Sequence, residues 1–145
     1  MKPDTSIRVG ADLVTALQVA DSIARFGDRY LRRVYTDHEI DSCSGPMPVR
    51  SASLAARFAA KEATLKVLRP RGYRPDWRSI EVRRHDGGWC TMALSGTAAE
   101  LAAQAGLAEV AVSLTHEAGI AGAVVVALCR EQQSEEPVVT MEGVL

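Results

Sequence analysis

The sequence predicts a mixed fold of helices and strands, and three observations support this expectation. The run Ser51–Arg69 contains no proline or glycine and is dominated by Ala, Leu, Lys and Glu, which favour helix. Residues Ile7–Val14 alternate apolar with polar side chains, which is typical of a strand. The turn-forming run His85–Gly88, with its Asp-Gly and Gly-Gly steps, separates two further strand patterns and predicts a hairpin.

Length and composition are those of one globular domain. The chain has 145 residues, of which 47% are hydrophobic and 24% charged, and its net charge of −1 does not favour nucleic acid or membrane as a partner. We expect a domain over residues 1–130 and a loose or disordered tail over 131–145, because the tail has little core-forming content. Three widely spaced cysteines, Cys43, Cys90 and Cys129, argue against a disulfide framework or a zinc site and favour a reducing cytoplasm.

The first predicted strand, Ile7–Val14, carries one residue of chemical interest. Apolar residues at the odd positions alternate with Arg8, Gly10 and Asp12, so Asp12 lies on the face opposite to the main apolar residues. A carboxylate there is typical of a solvated strand end. It is also the kind of oxygen ligand that Mg²⁺ prefers. This segment alone leaves both interpretations open.

The next segment, Thr15–Val34, is predicted to be helical, with Thr15 as N-cap and a break near Gly27. Four arginines follow i, i+4, i+7, i+8 spacing and are therefore expected on one helical face: Arg25, Arg29, Arg32 and Arg33. Such a face is often simply solvated. The alternative is a docking surface for an acidic protein partner.

The central helix is predicted over Ser51–Leu68, after a short helix that the capping box Thr36–Glu39 begins. Lys61 falls within the apolar stripe of the central helix, and Glu62 and Lys66 lie one turn apart beside it. These residues form an ordinary helical surface if Lys61 extends its ammonium out of the stripe and Glu62 pairs with Lys66. With Arg57, they also suggest a site for a phosphate ligand and a metal. The arginine-rich loop that follows is either a plain connector or a mobile anion-binding flap.

The second half of the chain predicts four strands and one helix. Strands at Ser79–Arg84 and Trp89–Leu94 form the hairpin, and a helix over Ala98–Ala105 ends near a glycine. Two further strands, Glu109–Thr115 and Ile120–Leu128, are joined by a turn over His116–Gly119. The last strand is nearly continuous in Ala, Val and Leu, so we expect it to be the most buried.

Five motifs occur in order along the chain: Gly10-Ala11-Asp12, Phe26…Arg29, Thr36-x-x-Glu39, Ala56-Arg57-Phe58-Ala59-Ala60-Lys61-Glu62-Ala63-x-x-x-Lys66 and Ser113-Leu114-Thr115-His116. Together they resemble the holo-acyl-carrier-protein synthase family, the short, single-domain type of 4′-phosphopantetheinyl transferase, over about residues 6–129. The resemblance implies an α+β fold in which a long central helix packs on an antiparallel sheet. It also implies a homotrimer with active sites between adjacent subunits.

The activity implied by the resemblance is Mg²⁺-dependent transfer of phosphopantetheine from coenzyme A to a serine hydroxyl of an apo carrier protein, with release of adenosine 3′,5′-bisphosphate. Asp12 and Glu62 match the two metal-binding acids of the family and, with Lys66, its catalytic residues. The residues implied to bind coenzyme A are Arg57, Lys61, Lys66, Ser113 and His116. The four arginines Arg25, Arg29, Arg32 and Arg33 match the region that receives the carrier protein. Three acceptors for the serine proton stay open, namely Glu62, a water on the metal, and bulk water.

The hairpin departs from the family pattern. Members usually have Gly-x-Pro with a basic residue in the middle, whereas this chain has Gly88-Trp89-Cys90. No site residue is therefore assigned from this hairpin. Besides a transferase that serves fatty-acid synthesis, two alternatives stay open. One is the same chemistry on polyketide or peptide carrier domains of a secondary pathway, and the other is a non-catalytic module that binds coenzyme A or a carrier.

Overall fold

A computed structural model describes residues 4–131. Its elements in chain order are β1 (Thr5–Thr15), α1 (Ala16–Phe26), α2 (Asp28–Val34), α3 (Asp37–Ser42), α4 (Val49–Leu68), a 3-10 turn (Trp77–Ser79), β2 (Ile80–Arg84), β3 (Cys90–Leu94), α5 (Gly96–Gln104), β4 (Leu107–Glu117) and β5 (Ile120–Arg130). The tail predicted to be disordered lies outside the described residues except for Glu131, so the division into domain and tail stays a prediction. None of the helices within residues 4–131 is long and apolar enough to cross a membrane.

The predicted α+β architecture is confirmed. Strands β1, β5 and β4 form an antiparallel sheet in that order, and β2 and β3 form the separate predicted hairpin. The long helix α4 packs against β1 and β5. As predicted, β5 has more buried residues than any other strand within residues 4–131, because it is the middle strand and faces α4.

Close packing between β1 and α4 depends on small residues at their contact. The side of α4 that enters the core carries the buried alanines Ala55, Ala59, Ala60 and Ala63. Opposite them, a Cβ atom added at Gly10 would overlap the carbonyl oxygen of Ala63. Because of this close approach, the face of β1 that carries Gly10, Asp12 and Val14 packs against α4.

We expect Gly10→Ala to lower the free energy of unfolding by about 3 kcal/mol, because the added methyl group meets backbone that cannot move aside cheaply. Gly122→Ala is the matched control. Its added carbon would meet the flexible end of Leu13, so a loss of about 1 kcal/mol or less is expected. Urea unfolding of the two variants measures the difference, and equal losses would contradict the close approach of β1 to α4.

The face of β1 that carries the odd-numbered apolar residues is uncovered in the single chain. Val9 is 62% exposed and Leu13 74%, whereas Gly10 and Val14 on the opposite face are buried. Asp12 lies on the face opposite to the apolar residues, as predicted, but that is the face packed on α4. The uncovered surface continues across β5 through Val124 and Val126, which are 44% and 41% exposed. We call this surface the open face of the sheet.

Local signals in the sequence correctly predicted several element ends. The Thr15 hydroxyl accepts a hydrogen bond from the Gln18 backbone N–H, and Thr36 and Glu39 form the complete capping box. The turn between β4 and β5 is shorter than predicted. It consists of Ala118 and Gly119, both at positive φ, so His116 belongs to β4 and not to the turn.

The predicted break at Gly27 divides the arginines between two helices. Gly27 adopts φ 53° and ψ −133°, and α1 ends before it while α2 begins after it. Arg25 therefore belongs to α1, whereas Arg29, Arg32 and Arg33 belong to α2. The prediction of one helical face shared by all four is wrong for Arg25, because 3.6-residue periodicity does not continue through such a backbone conformation. All four side chains are exposed.

Candidate functional site

The contact between β1 and α4 brings together two carboxylates that lie 50 positions apart in the sequence. Asp12 is 17% exposed, and its Oδ2 is buried without a hydrogen-bond partner among the described residues. Burial raises the pKa of Glu62, and the neighbouring Asp12 carboxylate raises it further. Two acids held this closely disfavour each other's ionisation. A cation between them would remove that penalty.

Lys66 lies beside this pair, one helical turn after Glu62. Its ammonium donates a hydrogen bond to the Ala11 carbonyl oxygen at 2.5 Å and lies 3.6 Å from Asp12 Oδ1. The side chain is half exposed. It can therefore keep a hydrogen bond to the strand while offering positive charge to an anion in solvent.

A groove of about 600 Å³ runs from Asp12 and Lys66 over the open face of the sheet. Asp12 and Lys66 line it at the edge of the sheet, and Ser113 and Thr115 of β4 line it farther along. In the strand register, Ala11 lies opposite Val124, and Val124 lies opposite Ser113. Three of the predicted site residues, Asp12, Lys66 and Ser113, therefore share one groove.

The donor set of the site fits a magnesium ion. Within residues 4–131 there is no group of three or more His, Cys, Asp or Glu residues that could hold a metal. Mg²⁺ does not require one, because it usually takes one or two protein carboxylates and completes its shell with water and substrate phosphates. Among the residues that the structure describes, the buried Asp12 Oδ2 has no hydrogen-bond partner, and this favours a cation at this place.

Lys61 does not reach the site, so the prediction that it binds coenzyme A is wrong. Its side chain is completely buried, and its ammonium lies 2.6 Å from Glu39 Oε1. It also donates hydrogen bonds to the backbone carbonyls of Trp77, at 3.0 Å, and Ile80. Burial lowers the pKa of Lys61, and the Glu39 carboxylate opposes that shift. These three partners use all the donors of the ammonium.

Glu39 is the residue of this region that the sequence did not reveal. Its place in the capping box was evident, because Oε1 accepts from the Thr36 backbone N–H at 2.9 Å. The same carboxylate also accepts from the Val82 backbone N–H, through Oε2 at 3.0 Å, and pairs with Lys61. Glu39 thus joins α3, α4 and β2 in the core, and no periodicity indicates such a contact.

Arg57 and His116 are not brought to the carboxylate pair within one chain. Arg57 is buried near Cys43, whose thiol pKa burial raises to about 11 against the opposing charge of Arg57. Its Nε is buried without a hydrogen-bond partner among the described residues, and one terminal nitrogen donates to the Ser53 carbonyl at 3.3 Å. His116 is exposed at the end of β4, one whole strand away from β1 and thus about 10 Å to the side of it.

Comparison with known proteins defines the class of this chain. A family model described as the 4′-phosphopantetheinyl transferase superfamily matches residues 8–129. The match covers every strand of the antiparallel sheet and both carboxylates of the site. The chain is therefore a transferase of this class.

Curated relatives and solved structures identify the branch of the superfamily. A holo-[acyl-carrier-protein] synthase of Chloroflexus aurantiacus is 41% identical over 133 residues, covering 81% of this chain and 95% of that protein. The same enzyme of Moorella thermoacetica is 39% identical over 130 residues, covering 90% and 98%. The crystal structure of Helicobacter pylori holo-[acyl-carrier-protein] synthase in complex with coenzyme A superposes with a TM-score of 0.71 at 28% identity, covering 82% of this chain and 98% of that one. The present chain belongs to the holo-acyl-carrier-protein synthase family.

Proposed function

We propose that this protein transfers 4′-phosphopantetheine from coenzyme A to a serine hydroxyl of an apo acyl carrier protein, with Mg²⁺ bound, and releases adenosine 3′,5′-bisphosphate. The observation that carries the proposal is the Asp12–Glu62 pair beside Lys66, with Asp12 and Lys66 lining a groove. The names of the relatives support the reaction, and the coenzyme A complex of the Helicobacter pylori relative supports the donor.

In the proposed reaction the serine hydroxyl gives its proton to one of three acceptors, namely Glu62, a water on the metal or bulk water. The serine oxygen forms a bond to the β-phosphorus of coenzyme A, and the bond from that phosphorus to the bridging oxygen breaks. The electron pair leaves on the phosphate of adenosine 3′,5′-bisphosphate. Asp12 and Glu62 would hold the ion, which when bound supplies electrostatic stabilisation for the charge that develops on the phosphate oxygens. Lys66 offers its ammonium to the same oxygens and positions the diphosphate.

Mass spectrometry of apo carrier proteins tests the function. Incubation with the protein, coenzyme A and Mg²⁺ should add the mass of one phosphopantetheine to a carrier, and a carrier with alanine in place of the acceptor serine should gain nothing. A fatty-acid carrier and a polyketide carrier assayed in parallel distinguish the two pathways. Absence of any gain on every carrier, with coenzyme A binding intact, would favour a non-catalytic module. All three cysteines are unpaired, which suits the cytoplasm that we propose for the reaction.

We further propose that the open face of the sheet is the interface of a homotrimer. The face exposes a continuous apolar surface across β1 and β5, which monomeric soluble proteins rarely leave in water. In such a trimer, Arg57 and His116 of one protomer are expected to serve coenzyme A bound at the carboxylate pair of its neighbour.

Val9→Asp is expected to dissociate the trimer, because it buries a carboxylate in an apolar interface without a partner. Transfer activity should fall with it by about a hundredfold or more, because the site would lose the residues of the neighbouring protomer. Sedimentation equilibrium measures the mass of the assembly. Val49→Asp is the matched control, since Val49 is as exposed as Val9 but lies at the start of α4. A monomeric wild type, or a Val9→Asp trimer, would contradict the interface.

The exposed arginines Arg25, Arg29, Arg32 and Arg33 are proposed to receive the acidic surface of the carrier protein. Although the break at Gly27 divides them, they remain a basic region in two adjacent helices. Reversing two charges, in Arg25→Glu/Arg29→Glu, should raise the KM for the carrier about tenfold at low salt and less at high salt. The KM for coenzyme A should not change. If Arg71→Glu, a reversal in the loop after α4, has the same effect, the docking region lies elsewhere.

A further inference from the structure

The loop after α4 returns to the helix at a firmly held segment. The Trp77 carbonyl accepts the hydrogen bond from the buried Lys61, and the Asp76 backbone N–H donates to Thr97 Oγ1 at 2.9 Å. The Trp77 ring packs on Phe58, with ring centroids 5.2 Å apart. The segment Asp76–Trp77 is therefore fixed to α4 one turn before Glu62.

This anchor places the guanidinium of Arg74 near the side of α4 that carries Glu62. Its Cζ lies 6.0 Å from the centroid of the Trp77 ring, within the range of a cation–π contact. Phe58, under that ring, precedes Glu62 by four residues and thus shares its side of the helix. The positive charge of Arg74, like that of Lys66, opposes the rise in the Glu62 pKa that burial and Asp12 cause. Arg74, Trp77 and Phe58 form a row of contacts that reaches α4 one turn before Glu62.

The N–H donors of the Arg74 guanidinium are not used by other residues within residues 4–131. Within residues 4–131 its guanidinium donates no hydrogen bond and forms no ion pair at bonding distance, and it contacts the Trp77 ring. Guanidinium groups present five N–H donors in a planar fork that matches phosphate oxygens. A stacked arginine with free donors can bind an anion and lose little conformational entropy.

The charges around the site balance only when Arg74 is counted. Lys66 follows Glu62 by one helical turn, and Arg74 contacts Trp77, which packs on Phe58 one turn before Glu62. Together they neutralise the two carboxylates. A divalent cation and a diphosphate diester are also neutral as a pair. They can therefore bind without leaving excess charge in a partly buried site.

We propose that Arg74 binds the diphosphate of coenzyme A, on the side of the carboxylate pair opposite to Lys66. This inference rests on the proposed function, because it takes coenzyme A as the donor. Lys66 and Arg74 would hold the diphosphate between them and present the β-phosphorus to the acceptor hydroxyl. The loop after α4 then forms part of the active site and is not a plain connector.

Calorimetric titration of coenzyme A in Mg²⁺ buffer, combined with transfer kinetics, tests the role. Arg74→Ala should weaken coenzyme A binding about tenfold and raise the KM for coenzyme A, while the KM for the carrier stays within twofold. Arg74→Lys keeps the charge but not the fork and should recover part of the loss. The matched control is Arg71→Ala, since Arg71 is exposed in the same loop but lines a separate groove with Arg8 and Arg69.

A second ligand shows whether Arg74 contacts the diphosphate or the nucleotide part of coenzyme A. Adenosine 3′,5′-bisphosphate lacks the β-phosphate, so Arg74→Ala should weaken its binding clearly less than that of coenzyme A. Equal loss for both ligands, an effect on the carrier KM alone, or the same loss in Arg71→Ala would each overturn the assignment. An active wild type with unchanged Arg74→Ala kinetics defeats only this inference. A wild type that neither binds coenzyme A nor modifies a carrier defeats the proposed function as well.

Discussion

Glu62→Gln is expected to reduce phosphopantetheine transfer by about a thousandfold or more, while the protein stays folded and, without metal, becomes more stable. The loss of activity follows because an amide cannot replace the charge that binds the ion with Asp12. The gain in stability follows because the variant removes one of two carboxylates that repel each other in the metal-free site. Opposite changes in activity and stability are expected for two acids that repel each other at a functional site, and the response to Mg²⁺ tests whether they bind a metal.

The repulsion between Asp12 and Glu62 should also make the stability of the metal-free protein depend on pH. Burial and Asp12 raise the pKa of Glu62 above its usual value of 4.5. The folded state therefore binds more protons than the unfolded state between that value and the raised one. In this interval the metal-free wild type loses stability as pH rises. Glu62→Gln should lack this loss, so its advantage over the wild type should grow from pH 4 upward and then level off.

Thermal unfolding in EDTA and in Mg²⁺ measures both effects without an activity assay. Mg²⁺ should raise the melting temperature of the wild type and leave that of Glu62→Gln nearly unchanged, because a ligand stabilises only a state that binds it. Glu100→Gln, the same change on the exposed surface of α5, should respond to Mg²⁺ as the wild type does. Equal Mg²⁺ stabilisation of Glu62→Gln and wild type would refute the metal site.

Lys61→Met is expected to destabilise the protein by about 3–5 kcal/mol. The substitution fills the volume of the side chain but leaves the Glu39 carboxylate buried without its cation. It also leaves the Trp77 and Ile80 carbonyls without their donor. Each buried polar group without a partner costs free energy. Urea unfolding at neutral pH measures the loss.

Two companion variants make this result specific. Lys61→Met/Glu39→Gln should recover part of the stability, because a neutral amide oxygen can still accept from the Val82 N–H without leaving an unpaired charge. Lys66→Met should unfold within about 1 kcal/mol of the wild type, since its ammonium is half exposed, yet lose most of its activity. If Lys61→Met is as stable as Lys66→Met, the buried ion pair does not hold the core together.

Local features of the fold followed from the sequence because their causes lie within a few residues. The N-cap at Thr15, the capping box at Thr36, the break at Gly27 and the hairpin over His85–Gly88 are such cases. The strand nature of β1 and the burial of β5 followed from side-chain alternation and composition. The two carboxylates were identified by motifs that resemble a known family, and not by periodicity.

The tertiary structure decided which charged residues share a site and which belong to the core. Lys61 and Lys66 have similar sequence surroundings, but the buried partner of Lys61 is Glu39, 22 positions earlier in another helix. Helical periodicity predicts on which face of a helix a residue lies, but it does not predict which segment packs against that face. The same limit applies to β1, where the close approach at Gly10 turned the Asp12 face to α4 and left the apolar face open. Contacts between distant segments depend on packing of the whole chain, and local sequence carries no record of them.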